Sequence, residues 1–325
     1  AELGRHERAE EMFYMAQELD DACPHCFYHM GGSLFSREQF DRAIYCWERV
    51  MELEPGYIGV NRRIAQAFEA KGELDRAREY FLRELRDDPG NTDLLFELAE
   101  LTLASGKLPA AAAKFEQIIE LDPDHAAAYF ALGSVLLQIG QPQAALDALE
   151  SAAAVAEPGE TLHGLDARAG EALLQLGQFA DARTRLNKAV ELAPNDSRLV
   201  TLLGDVLFKL KKSDAAGDCY RKALAIEPTS PVAHYRLGLC LLEAGRPADA
   251  LRHNLDALQS RTDFVEAMHA ATLALLELGQ WRRARIMVER AITTKSSPEL
   301  LALRARLWRF RLRRYLSRLR HPFAR

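Results

Sequence analysis

The chain is 325 residues long and 48% hydrophobic, with 42 lysines and arginines against 47 aspartates and glutamates for a net charge of −5. Its five cysteines are too few and too scattered for a disulfide scaffold and suit a reducing compartment, read here as the cytoplasm. No apolar run approaches membrane-spanning length, and the hydrophobic content would serve either two ordinary domains or one long array.

From Glu2 to Leu19 a helical pattern places Ala9, Phe13 and Ala16 at small, large and small sites. Residues 1–23 are therefore read as the second helix of an incomplete repeat, and a removed segment upstream of Ala1 is expected. Cys23-Pro24-His25-Cys26 comes next, with His29 nearby. Two cysteines at this spacing can bind metal or exchange thiols, and a helix N-terminus lowers a thiol pKa. A second ligand pair is missing, however, and a helix rather than a strand precedes the motif. Pro24 also suits the first position of a helix. The pair is expected to be structural, with no metal and no cofactor bound. Cys46, Cys219 and Cys240 read as packing residues.

Two helical segments separated by a short turn then recur every 34 residues. The copy from Ser197 to Ser230 is the clearest. Gly204 gives a small site in its first helix, Ala216 opens the second, Tyr220 supplies a large site and Pro228 ends the unit. Ala216 has counterparts at Ala43, Ala77, Ala111, Ala145, Ala182, Ala250 and Ala284. The small site runs Gly31, Ala65, Ala99, Gly133, Gly170, Gly204, Gly238 and Thr272. The large site runs Trp47, Phe81, Phe115, Leu149, Leu186, Tyr220, Asn254 and Val288. Between Ala145 and Ala182 the register slips by three, which places an insertion at 160–162, read as a lengthened loop.

Residues 299–325 hold nine arginines and one glutamate, a local charge of +8 that leaves −13 on the rest of the chain. Residues 298–325 are read as a basic amphipathic helix and tail. One stripe, Leu301, Ala305, Trp308, Leu312, Tyr315, Leu316 and Leu319, is expected to cap the last repeat. A second, Leu300, Leu303, Leu307 and Phe310 with Arg311 and Arg314, is expected to stay bare. That stripe would attach a partner, a second copy or an anionic membrane surface. Nucleic acid is not an expected partner.

The eight copies over residues 24–297 resemble the tetratricopeptide repeat family. That resemblance implies an all-α, right-handed superhelical solenoid of helix-turn-helix repeats. Its concave wall of first helices would receive peptides or partner segments. By position the wall would hold Tyr28, Arg62, Gln66, Phe96, Glu100, Phe130, Ser134, Glu171, Thr201, Asp205, Phe208, Tyr235 and His269. This mixed aromatic and acidic surface suits an extended peptide with apolar anchors and some basic residues. A clamp for a C-terminal carboxylate, as in the chaperone-binding members, is disfavoured: Glu97 stands where an asparagine belongs, and Ala127 and Ala131 replace a basic pair. The asparagine ladder of the sugar-transferase members is missing too. No phosphate loop, zinc helix or nucleophile elbow is present, so a scaffold rather than an enzyme is expected. The two rival readings are a recruiting arm of a larger enzyme and a membrane-associated assembly factor.

Overall fold

The computed structural model describes residues 23–156 and 164–307, and within them sixteen complete helices form eight successive pairs. The pairs are α1 (Pro24–Ser36) with α2 (Phe40–Leu53), α3 (Val60–Ala70) with α4 (Leu74–Asp87), α5 (Thr92–Ala104) with α6 (Leu108–Leu121), and α7 (Ala126–Ile139) with α8 (Pro142–Val155). After the second stretch begins come α9 (Leu165–Gln175) with α10 (Phe179–Leu192), α11 (Ser197–Lys209) with α12 (Ser213–Ile226), α13 (Pro231–Glu243) with α14 (Pro247–Ser260), and α15 (Val265–Glu277) with α16 (Trp281–Thr294). Residues 298–307 are helical as well. No described residue is in a strand, and the fold is an all-α repeat solenoid. The chain divides into two compact units, Ala1–His163 with α1–α8 and Gly164–Arg325 with α9–α16.

Small residues explain why the two helices of a pair approach so closely. All eight repeat alanines, from Ala43 to Ala284, are fully buried. Opposite them, a Cβ added to Gly133, Gly170 or Gly204 would stand 2.7, 2.6 and 2.6 Å from Leu149, Leu186 and Tyr220 respectively. The large residue thus occupies the volume that the small one vacates. In the eighth pair both partners change together, Thr272 facing Val288, and the Thr272 hydroxyl donates to the Met268 carbonyl at 2.7 Å. Asn254 is the one polar occupant of the large site. Its amide nitrogen donates to the Ala250 carbonyl at 2.8 Å, while its buried Oδ1 has no hydrogen-bond partner.

Every turn within a pair is built alike. The residue two before the start of the second helix, from Glu38 through Gly140 to Gly279, has positive φ, and the next amide donates back to the first helix at 2.8–3.2 Å. This is the Schellman closure, which uses otherwise orphaned carbonyls. Six of the eight positions are glycine; Glu38 and Lys211 adopt φ of 59° and 62° despite their side chains.

The last helix corrects one expectation. Leu300, Leu303 and Leu307 are buried in the same core cluster as Leu275, Ala284 and Val288, whereas Leu301 and Ala305 are exposed. Over residues 298–307 the expected roles are exchanged; Trp308, Leu312, Tyr315, Leu316 and Leu319 of the first stripe lie outside the described residues. The two faces lie one residue apart, about 100° around the helix. Leu300, Leu303 and Leu307 are core, and so do not form a bare attachment patch. Phe310, Arg311 and Arg314 lie outside the described residues, as do the incomplete repeat before Cys23 and the insertion at 160–162.

Candidate functional site

The expected binding residues all sit on first helices, and most are half-buried. In the first unit, Tyr28 lies on α1 and packs against Tyr57 at 5.1 Å between ring centroids. Its carbonyl accepts the Trp47 indole N–H at 3.0 Å. Arg62 and Gln66 on α3 converge on a residue of α5 that position alone did not assign to the wall. The Glu97 carboxylate accepts from Arg62 Nη2 at 2.6 Å, Arg62 Nε at 3.0 Å and Gln66 Nε2 at 3.1 Å. The expected ligand contacts of Arg62 and Gln66 are therefore already engaged within the protein.

Around that knot the first unit is short of positive charge. Glu69 and Glu100 are exposed at their surface, yet partial desolvation, with Glu97 next in importance, raises both carboxyl pKa values, and only carboxylates figure among the charges acting on them. Phe96 stacks on His125 with ring centroids 5.5 Å apart and an interplanar angle of 12°. Phe130 and Ser134 follow on α7, and the buried Ser134 hydroxyl has no hydrogen-bond partner.

In the second unit the acidic residues are paired. Glu171 on α9 accepts from Arg168 and from Arg198 of α11, each at 3.1 Å. Asp205 on α11 accepts the Tyr220 hydroxyl at 2.7 Å and lies 2.9 Å from Nε of Arg236 on α13. Burial raises the Asp205 pKa, with Arg236 and the Tyr220 bond acting in the opposite direction. Thr201 departs from its expected place on the wall: it is 8% exposed, and its hydroxyl donates to the Ser197 carbonyl at 2.7 Å. Tyr235 packs edge-on against Phe264 at 5.1 Å, beneath the Arg236 guanidinium. Phe208 is half-buried against the core, and burial lowers the pKa of His269.

Cys23 occupies the N-cap position of α1, the place held by Asn91 and Asp196 in later repeats, and its Sγ accepts the Cys26 amide at 3.3 Å. The two sulfurs are joined as a disulfide across this single turn, with Cα atoms 5.4 Å apart. His25 and His29 do not converge on the sulfurs as ligands would. Their Nε2 atoms face each other at 3.0 Å, and His25 Nδ1 meets the Tyr57 hydroxyl at 3.1 Å. Cys46 and Cys240 are buried and Cys219 half-buried, and burial pushes the Cys240 thiol up to about 12, which leaves it unreactive.

Arg168, Arg198 and Arg236 are not among the expected wall residues, and Glu97 enters the sequence reading only as the residue standing where a carboxylate clamp has asparagine. The available signal was the register itself. Glu97, Arg168 and Arg236 occupy one repeat position, counted through the three-residue slip.

No described helix is long and apolar enough to cross a membrane. Among solved structures, the chain aligns with one from the APC/C hetero-tetramer Cut9–Hcn1 over 93% of its own length and 58% of that chain, with a TM-score of 0.62 and 17% identity. A tetratricopeptide repeat protein from Parabacteroides merdae matches over 78% of this chain and 98% of its own, with a TM-score of 0.59 and 14% identity. Both likenesses concern the fold. A stretch of 100 residues is 28% identical to the peroxisomal targeting signal receptor of Candida albicans, covering 30% of this chain and 17% of the receptor. Profiles described as tetratricopeptide repeat match residues 58–101, 96–161, 168–231 and 219–252, together more than half the chain. With eight helix pairs in one register, buried alanines at every crossing and these matches, the chain belongs to the tetratricopeptide repeat family and is a protein-interaction scaffold.

Proposed function

We propose that the first helices α3, α5 and α7 bind an extended peptide that combines basic side chains with apolar anchors. One observation carries this reading: the exposed carboxylates of Glu69 on α3 and Glu100 on α5 have only other carboxylates among the charges acting on them, and half-buried Phe96 and Phe130 lie on α5 and α7. A lysine or arginine from a ligand would relieve the cost of those charges, and the phenylalanines would receive its apolar residues. The likeness to a targeting signal receptor supports a ligand that is a short segment of another protein.

Fluorescence anisotropy with labelled peptides tests the proposal. Peptides pairing arginine or lysine with phenylalanine or leucine should bind, and those carrying glutamate instead should not. Glu69→Gln with Glu100→Gln should weaken the basic peptides by at least about 10-fold and flatten their salt dependence. Phe130→Ala should weaken basic and neutral anchored peptides alike. Unchanged affinity for basic peptides in the double glutamine variant would remove this wall as the binding surface.

A further inference from the structure

The seventh repeat contains a set of side chains that peptide binding does not use. His234 stands in the first turn of α13, and His253 and Asp256 lie one turn apart on α14. The two Nδ1 atoms are 3.0 Å apart, Asp256 Oδ2 is 4.0 Å from His253 Nδ1, and the three donor groups lie within 4.8 Å of one another. The other nitrogen of His234 settles how the ring is protonated. Its Nε2 is 3.0 Å from the Pro228 carbonyl oxygen. A carbonyl can only accept, so Nε2 carries the hydrogen, and in the neutral ring Nδ1 is left with its lone pair facing His253. A backbone carbonyl that fixes the tautomer in this way is the usual outer support of a metal-ligating histidine.

We propose that His234 Nδ1, His253 Nδ1 and an Asp256 carboxylate oxygen form a three-ligand site for a divalent transition-metal ion of the zinc type, with water in the fourth position. Two imidazoles and one carboxylate select such an ion over magnesium or calcium, which favour all-oxygen sites. Tetrahedral bonds of about 2.0–2.1 Å set ligand atoms about 3.3–3.4 Å apart. The histidines therefore need to separate by a few tenths of an ångström, and the Asp256 side chain, 43% exposed, needs to swing in by a little more. His253 changes from its Nδ1–H to its Nε2–H tautomer as the ion enters, with no net release of a proton. A cavity of about 710 Å³, lined by Pro228, His234 and His253, provides the approach and room for the water. Arg221, Arg246 and Arg252 also border it and oppose a cation, while Asp249 and Asp256 act in the other direction. Affinity is accordingly set by the three ligands rather than by the local field.

Equilibrium dialysis of the oxidised full chain against micromolar zinc, followed by metal analysis, tests the assignment. The expected result is one equivalent of zinc and a raised melting temperature. His234→Gln and His253→Gln should each weaken retention by about 100-fold or more, and Asp256→Asn by about 10-fold. Circular dichroism without metal verifies that each variant folds, and exposed Asp256 provides a substitution that leaves the core untouched. Failure of the native chain to retain zinc would overturn the assignment. So would one equivalent that persists in both histidine variants, which would place the metal elsewhere.

Discussion

Glu97 in the first unit and Arg236 in the second stand at the same repeat position with opposite charge, and each reaches back to the preceding first helix. Glu97 takes bonds from Arg62 and Gln66, whereas Arg236 meets Asp205, the repeat counterpart of Gln66. One geometric link is thus wired with two polarities. In the first unit the carboxylate is the connecting residue, and its arginine is consumed, so Glu69 and Glu100 are left uncompensated. In the second unit arginines connect, and both Glu171 and Asp205 are neutralised. The backbone and its buried small residues are held in common, while the charge offered to a ligand depends on which end of each link bears which sign.

Packing is the shared half of this comparison and carries the largest expected effects. Gly133→Leu in the first unit and Gly204→Leu in the second should each cost about 3 kcal/mol, because a side chain there must displace a buried Leu149 or Tyr220. Urea unfolding followed by hydrogen exchange would reveal the loss in the mutated unit, and a negligible cost in either would break the equivalence. Wiring is the unshared half. Asp205→Ala strands the Tyr220 hydroxyl and the Arg236 guanidinium and should cost about 2 kcal/mol. Glu97→Ala breaks a pair whose arginine side chain is 38% exposed and should cost about 1 kcal/mol or less. Thermal denaturation of the two variants orders them; equal shifts would mean that the polarity of the link has no energetic consequence. The smallest effect should be a gain. Glu38→Gly and Lys211→Gly, one in each unit, place glycine at a positive φ where six sister turns already have it, and should stabilise by about 0.5–1 kcal/mol.

The fold could be read from the chain because its repeat lies in residues with no freedom to vary. A bulky residue at any of the alanines from Ala43 to Ala284 would push the paired helices away from each other, so the period survives intact at those positions. The wall was legible by position and not by partner. Arg62 and Gln66 have the look of ligand contacts in the sequence, but Glu97 sits between them; Thr201 has the same look, but its hydroxyl is turned to its own helix. Surface charge carries no period, so a reversal of sign between Glu97 and Arg236 looks like ordinary variation along the chain. His234 and His253 are 19 residues apart on different helices and form no motif. Residues 298–307 illustrate a different limit: two apolar faces one residue apart are equivalent in pattern, and only the packing distinguishes buried Leu300, Leu303 and Leu307 from exposed Leu301.

Leu300, Leu303 and Leu307 pack into the core cluster of α15 and α16, on the kind of flank that successive repeats within each unit bury against one another. An uncovered flank of that kind would accept the leading helix of another copy, and such a head-to-tail contact does not close on itself but grows into a filament. Residues 298–307, which follow no repeat pattern, occupy that place. At this face three leucines make the contact that the leading helix of a second copy would otherwise seek.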